Sequence, residues 1–197
     1  AIVKSGTCSP DTTLPFRIYV IPATTASISG ADSVCSGNSV TLTATASGGT
    51  GTYTYQWQRN GVNVGTNSST LNTDAALTAG NYSYTVIVGS GPCAVTSAAH
   101  QLTVLPNPQI TNVSSTNLTC YNVNIGTINI TANSDSFSID SGLTYVGNNS
   151  FTGLPAGTYY VVVKNATGCF KFFNGNPVII TQPDSITISF NIVEPSC

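Results

Sequence analysis

Charged residues are scarce in this 197-residue chain. They make up 6% of the sequence, against about 25% in an average domain, and threonine, serine, asparagine and glycine take their place. This composition is typical of secreted and cell-surface β proteins. The 5 lysines and arginines are scattered, so the sequence lacks the basic stripe that a nucleic-acid groove requires. We expect no nucleic-acid partner.

Long apolar runs and helical periodicity are also missing. No stretch approaches the roughly 18 consecutive apolar residues of a membrane-spanning helix, and the sequence shows no signal peptide. We expect no direct insertion into a membrane. Because no segment repeats its apolar residues at the helical spacing, the sequence predicts an all-β fold.

The residues that build metal and catalytic centres are few. The chain has one histidine, and its six cysteines form no Cys-x-x-Cys pair, which favours disulfides in an oxidising compartment over a zinc site. His100 has no cysteine or carboxylate neighbour in sequence for a triad or a metal site. Asp74, Asp135 and Asp140 do not form the closely spaced run of a calcium loop. We expect no enzymatic activity, cofactor or metal, with a single calcium ion at a domain junction as the alternative.

An internal repeat organises what is present. Residues 154–164, Leu-Pro-Ala-Gly-Thr-Tyr-Tyr-Val-Val-Val-Lys, lead to Gly168-Cys169, and residues 77–88 lead in the same way to Gly91-Pro92-Cys93. Residues 1–8 align without a gap over residues 86–93. Self-similarity of this kind indicates a repeat architecture, and we expect the chain to be a piece of a longer array.

The repeated stretch predicts a turn that feeds a buried strand. Ala-Gly supplies a tight corner, and the tyrosine two positions later can bury its ring while its hydroxyl bonds back to the corner backbone. This is the tyrosine corner of immunoglobulin-like (Ig-like) sandwiches. The β-branched run that follows suits a strand.

Short strands at a spacing of 8 to 12 residues favour tandem β-sandwiches. The repeats predict four parts: the C-terminal stub of an upstream Ig-like repeat, a complete Ig-like or PKD-like sandwich, a second complete sandwich of a different subtype, and the start of another repeat. In that order they cover residues 1–22, 23–106, 107–190 and 191–197.

Within the first complete repeat, residues 32–38 read as a turn and residues 39–46 alternate apolar and polar residues, as a strand does. Asn60-Gly61 is a hairpin signal. In the second, the core fillers in place of tryptophan are Phe137, Tyr145 and Phe151.

Trp57, the single tryptophan, is expected in the core of the first sandwich, on its third strand. The alternative is a glycan-stacking platform, because Tyr53, Tyr55 and Trp57 alternate onto one face.

The cysteines occur in two sets. Cys35, Cys120 and Cys197 precede the second strand of a repeat, whereas Cys8, Cys93 and Cys169 follow its organising strand. The simplest pairing is within a repeat, Cys35 with Cys93 and Cys120 with Cys169, which leaves Cys8 and Cys197 to other partners. Strand direction in stacked sandwiches favours a bond between repeats instead, Cys35 with Cys169. Since bonded cysteines need Cα atoms within about 7 Å, one scheme excludes the other.

The second complete repeat resembles the SprB-type repeat of gliding-motility adhesins. The resemblance covers most of residues 107–190 and depends on Cys120, Gly126-Thr127-Ile128, and the segments 153–159, 164–169 and 180–183. It departs from that pattern at residues 136–140, where the usual aromatic-tryptophan strand is missing. The first repeat, through residues 34–42 and Tyr55-Gln56-Trp57, is similar to the PKD-like or Ig-like modules of the same kind of protein.

The resemblance implies a giant, repetitive cell-surface protein of gliding bacteria, exported by type IX secretion. Its implied partners are neighbouring repeats of the same chain, surface polysaccharide, and the outer-membrane secretion or motility machinery. It also implies O-glycosylation at Asp-Ser/Thr-apolar triplets, which matches Ser33 and Ser185 and, more loosely, Thr12. For each of them, an ordinary turn or cap is the alternative. Accessory carbohydrate-binding modules of a secreted glycan-degrading enzyme, or a filament subunit completed by strand exchange, are the other functions compatible with the sequence.

Overall fold

The protein is described from a computed structural model. The structure describes residues 17–191, Gly6, and the backbones of strands β1 (Ile2–Val3) and β2 (Asp11–Thr12), which pair antiparallel. Every regular element in this part of the chain is a β-strand, which confirms the all-β prediction. Within the same residues, no helix is long and apolar enough to span a membrane.

The described residues group into two compact units. The first contains positions up to 32, 39–73 and 82–102, and the second contains 33–38, 74–81 and the positions from 103 onward. The domain boundaries predicted after residues 22, 106 and 190 stay predictions.

The first complete repeat forms two sheets. Its strands are β3 (Thr25–Ser29), β4 (Ser33–Cys35), β5 (Thr41–Ser47), β6 (Thr54–Arg59), β7 (Val62–Val64), β8 (Thr70–Asn72), β9 (Gly80–Ser90), β10 (Cys93–Thr96) and β11 (His100–Leu105). One sheet has the order β3-β5-β8. The other has the order β4-β11-β9-β6-β7, with β10 also paired to β9. Two antiparallel-rich sheets that divide the strands in this way, with β3, β5 and β8 in one and β6, β9 and β11 in the other, form the Ig-like arrangement.

Local sequence explains these elements. Strand β5 buries Leu42 and Ala44 and exposes the threonines between them, as the alternating pattern predicts. The β6–β7 hairpin turns at Asn60 and Gly61, whose φ angles of 50° and 80° match the Asn-Gly turn that the sequence indicates.

Trp57 lies in the core of this sandwich. Its side chain is fully buried, and its indole N–H donates a 2.9 Å hydrogen bond to the Ser68 carbonyl. A Cβ atom at Gly65 would lie 2.7 Å from Leu71 Cδ1 and 4.0 Å from Trp57. Glycine at position 65 therefore leaves room for the Leu71 side chain.

The segment predicted as a turn at residues 32–38 is partly a strand. Ser33–Cys35 pairs in parallel with the end of β11, with Val34 opposite Val104. The turn signals of the segment apply only to Ser36 and Gly37, because its first half gains a partner about 70 residues away, which local pattern does not reveal.

The second complete repeat is a smaller sandwich. Its strands are β12 (Ile110–Thr116), β13 (Gly126–Ala132), β14 (Ser136–Ser138), β15 (Ser150–Leu154), β16 (Gly157–Tyr159), β17 (Val162–Lys164), β18 (Phe170–Phe172) and β19 (Val178–Ile180). The sheets are β12-β13-β15, β14-β17-β18 and the pair β16-β19. The division between sheets follows the same scheme as in the first repeat, and the chain is a tandem of Ig-like modules.

Aliphatic residues dominate the second core. The buried cluster consists of Leu118, Ile128, Ile130, Phe137, Val161, Val163 and Ile180. Of the predicted fillers, Phe137 is buried and Phe151 packs against the cluster. The prediction for Tyr145 is wrong, because this half-buried residue lies outside the cluster, with the Lys164 ammonium 4.3 Å from its ring centre.

The organising stretch contains the predicted tyrosine corner. The Tyr159 hydroxyl donates a 2.9 Å hydrogen bond to the Pro155 carbonyl. The run that follows is not one continuous strand, because it breaks at Tyr160 and Val161. There the Asn176 side chain pairs with both backbone groups of Val161, at 2.8 and 2.9 Å, in place of a neighbouring strand.

Candidate functional site

A disulfide joins the two repeats. Cys35, at the end of β4, is bonded to Cys169, in the turn between β17 and β18, with their Cα atoms 5.6 Å apart. Both residues belong to the second compact unit. The bond links positions separated by 134 residues.

Backbone hydrogen bonds fix the loop that carries Cys35. The amide of Ser36 donates to the Leu105 carbonyl at 2.8 Å, and its hydroxyl donates to the same oxygen at 3.1 Å. The Asn107 amide donates to the Ser36 carbonyl at 2.7 Å, and Gly37 allows the turn with a φ of 89°. The loop is therefore held against the segment that leads into the second repeat.

Asn165 organises the turn that carries Cys169. Its backbone N–H donates to the Cys169 carbonyl, its side-chain oxygen accepts from the Cys169 amide, and both bonds are 3.0 Å long. Its side-chain N–H₂ donates to the Pro106 carbonyl at 3.0 Å, and Asp135 accepts from the Ala166 amide at 2.7 Å. The turn is thus tied to the chain between the two repeats.

The disulfide stabilises the folded chain. Cys169 is fully buried, so solvent reductants reach its sulfur poorly. A loop of this length gives a stabilisation of roughly 5 kcal/mol in the chain-entropy description of disulfides. The bond constrains the chain across most of both repeats.

The structure decides between the two pairing schemes. The within-repeat scheme is wrong for the described residues, since Cys93 and Cys120 are free and exposed. The pairing of Cys35 with Cys169 follows the alternative based on strand direction. Cys8 and Cys197 lie outside the described residues.

Asn165, Asn107 and Ser36 were not predicted as site residues. The signal for Asn165 was its position in an Asn-Ala-Thr-Gly turn directly before a cysteine, since asparagine side chains bond readily to the backbone of a turn. Asn107 follows Pro106 where one repeat meets the next. Neither of these sequence positions reveals which backbone group the asparagine bonds to, because that depends on the fold.

The predicted aromatic platform is not available for ligand stacking as a set. Trp57 is fully buried, the half-buried Tyr53 directs its hydroxyl to the Gly48 carbonyl at 2.8 Å, and Tyr55 is half-buried. The indole therefore belongs to the core and offers no face to a sugar.

Two of the residues predicted for O-glycosylation are exposed, one in a strand and one outside any strand. Ser33 is exposed in β4, and Ser185 is exposed in the segment after β19. For Thr12 only the backbone, in β2, is described. Modification of these residues stays a prediction.

Ionisable groups form small local clusters. His100 lies 3.2 Å from the Ala31 carbonyl and 3.6 Å from the Asp32 carboxylate. The hydroxyl of Ser138, then the hydroxyl and amide of Thr144, donate to Asp140 and lower the pKa of its carboxyl to about 2. In the described part of the chain, no group of three or more histidine, cysteine or acidic side chains is placed to hold a metal ion.

The chain is similar in fold to solved tandem-Ig structures. These include the N-terminal eight Ig domains of Down Syndrome Cell Adhesion Molecule (15% identity, TM-score 0.37), covering 77% of this chain and 26% of that one. The three N-terminal domains of the bacteriophage RB49 outer capsid protein Hoc match at 19% identity and TM-score 0.40, over 80% of this chain and 59% of that one. The tandem Ig repeats of Dlar match at 16% identity and TM-score 0.32, over 82% and 98%.

This chain thus spans about a quarter of the first of these structures and about three fifths of the second. No protein-family model matches it, and no curated protein matches it.

Proposed function

We propose that this chain is a segment of the repetitive stalk of a large extracellular adhesin, in which Ig-like modules act as mechanical spacers. The observation that carries the proposal is the disulfide between Cys35 and Cys169, which connects consecutive repeats. Disulfides persist in oxidising compartments, which supports a location outside the reducing cytoplasm. The low fraction of charged residues fits the same setting.

The bond changes how the chain responds to force. A pull applied to the two ends bypasses the residues between the bonded cysteines, because the tension passes through the sulfur atoms. With 134 residues of separation, about 440–480 Å of extended chain is withheld at 3.3–3.6 Å per residue. A stalk built this way extends less when its modules unfold.

The finer assignment comes from the SprB-type resemblance. It implies gliding motility or surface attachment, export by type IX secretion, and a location on the outer surface of the cell. The partners are then neighbouring repeats of the same chain, and surface polysaccharide or the outer-membrane motility machinery at the ends of the stalk.

Single-molecule force spectroscopy tests the mechanical role. We expect the oxidised chain to extend by about 440–480 Å less than the same chain in dithiothreitol. The double variant Cys93→Ser, Cys120→Ser is the matched control, since it removes two free thiols and leaves the bond in place. Equal extension in both redox states would contradict the proposal.

Strand exchange between chains is a second candidate, favoured by one observation. The apolar side chains of Ile186, Ile188 and Phe190 are 92%, 73% and 85% exposed and alternate with polar residues, as an unpaired strand does. Such a segment can complete a sandwich of another copy. A concentration-dependent mass in size-exclusion chromatography with light scattering would support exchange, and a constant monomer mass would favour the single-chain stalk.

The carbohydrate-binding alternative depended on Tyr53, Tyr55 and Trp57. With Trp57 in the core, no observation favours it.

A further inference from the structure

The free thiol of Cys120 occupies the same place in its repeat as the bonded Cys35. Cys120 lies six positions before Gly126, the first residue of β13, and Cys35 lies six positions before Thr41, the first residue of β5. We call Cys35 and Cys120 the early cysteines. One early cysteine is in a disulfide, and the other is exposed.

The free thiol of Cys93 corresponds in the same way to the bonded Cys169. Cys93 opens β10 directly after the turn that follows β9, opposite Ser90. Cys169 closes the turn between β17 and β18, directly before Phe170. We call Cys93 and Cys169 the late cysteines. The observed bond thus joins the early cysteine of one repeat to the late cysteine of the following one.

The loop that carries Cys120 is held like the loop that carries Cys35. The Leu118 amide donates to the Thr181 carbonyl at 2.9 Å, just after the last strand of its repeat. The Ser36 amide donates in the same way to the Leu105 carbonyl, at the end of β11. In each case an amide within two residues of the early cysteine is bonded to the segment that leaves its own repeat.

The loop that carries Cys120 exposes apolar residues. Tyr121, Val123 and Ile125, which follow it in sequence, are 53%, 45% and 44% exposed. Exposed apolar side chains in one loop suit contact with another protein surface.

The end of the first repeat that carries Cys93 receives the incoming chain. The Gly49 amide donates to the Pro22 carbonyl at 2.8 Å. Next to it, the Thr50 amide donates to the Ser90 hydroxyl at 2.9 Å, which connects this turn to the β9–β10 hairpin.

The second repeat also bonds to its own incoming chain, but from another turn, since the Asn165 side chain between β17 and β18 donates to the carbonyl of Pro106. The strand before Pro106, β11, pairs with β4, which carries Cys35. In each repeat a turn thus contacts the proline carbonyl of the incoming chain, Pro22 in the first and Pro106 in the second.

We propose that the early-to-late bond recurs along the array, so that Cys120 is bonded to the late cysteine of a following Ig-like module and Cys93 to the early cysteine of a preceding one. This inference depends on the proposed repetitive stalk. Each bond forms when two thiols give up two protons and two electrons to a disulfide oxidant, which is reduced to two thiols. The product is a ladder of disulfides that covers every junction between modules.

Disulfide mapping of the full-length protein from its native cell surface tests the ladder. Free thiols are first blocked with N-ethylmaleimide, and the protein is then digested with pepsin at acidic pH without reductant. We expect the Cys120 peptide to be linked to a peptide from the last hairpin of a following module, and the Cys93 peptide to be linked to a peptide from a preceding module. Maleimide-labelled Cys93 or Cys120, or a bond between these two, would overturn the proposal.

A variant gives an independent readout in the full-length protein. Cys120→Ser should create one new maleimide-reactive thiol per chain, located in the following module, and should leave the fold intact because the side chain is exposed. Thr119→Ser, in the same loop, should create none. If Cys120→Ser creates no new thiol, the ladder is wrong. The Cys35–Cys169 bond and the force response of the stalk would still stand, so the failure of the ladder is separable from that of the proposed function.

Discussion

The Asn165 side chain bonds to the Pro106 carbonyl at 3.0 Å across 59 residues of sequence, while its oxygen accepts from the Cys169 amide. One side chain thus connects the bonded cysteine to the chain between the repeats. This relationship makes Asn165 a positioning residue for the disulfide.

Replacement of Asn165 should weaken that turn. We expect Asn165→Ala to lower the free energy of unfolding by about 1–2 kcal/mol, since three side-chain hydrogen bonds, with Pro106, Cys169 and Thr167, are lost. It should also slow reoxidation of the Cys35–Cys169 bond after reduction. Urea denaturation and thiol-quench kinetics measure the two effects. Asn124→Ala is the control, because Asn124 is exposed and makes no side-chain hydrogen bond to the described part of the chain; equal effects of both substitutions would contradict this role.

The tyrosine corner should contribute measurably to the second module. Tyr159→Phe removes the hydroxyl that bonds to Pro155 and keeps the ring, so we expect a loss of about 1 kcal/mol. Tyr160→Phe is a matched control, since Tyr160 is the next residue in the chain and is 44% exposed. Thermal denaturation distinguishes the two, and an unchanged stability of Tyr159→Phe would mean that the ring alone matters.

The acidic-pH response should depend on Asp140. Hydrogen bonds from Ser138 and Thr144 lower its pKa from 3.8 to about 2 in the folded state, so its stabilising contribution is complete above about pH 5 and is lost as the pH falls towards 2. We expect Asp140→Asn to cost about 1 kcal/mol at pH 7, because solvent partly screens this half-buried group, and to cost little at pH 2. Urea denaturation at both pH values measures the difference. Asp184→Asn, in the exposed segment after β19, should have no effect at either pH, and a pH-independent cost for Asp140→Asn would contradict the assignment.

The fluorescence of Trp57 should show that it lies in a core from which solvent is excluded. Its complete burial and its bond to Ser68 predict blue-shifted fluorescence that soluble glycans neither quench nor shift. Trp57→Ala should cost about 3–5 kcal/mol, as truncation of large buried aromatics does. A glycan-dependent shift in emission would revive the platform interpretation.

Local sequence patterns predicted much of the fold. The alternation around Leu42 and Ala44, the Asn60-Gly61 hairpin and the corner at Tyr159 each depend on residues close together in the chain. For that reason the sequence alone predicts them. The burial of Trp57 follows from the same Ig-like pattern, although the extra strand at Ser33–Cys35 makes its strand, β6, the fourth of the repeat.

The features that sequence could not specify depend on distant partners. Ser33–Cys35 becomes a strand through β11, and the break at Val161 exists because Asn176 occupies its backbone groups. The disulfide is the clearest case. Its two pairing schemes differ in which ends of the sandwiches meet, and cysteine spacing alone does not contain that information.

The most direct test of the account is a non-reducing peptide map of the 197-residue chain after maleimide blocking. The account predicts one linked pair of peptides containing Cys35 and Cys169, with Cys93 and Cys120 labelled as free thiols. A map that links Cys35 to Cys93 and Cys120 to Cys169 would contradict it, because each repeat would then be closed on itself and no covalent bond would connect one to the next.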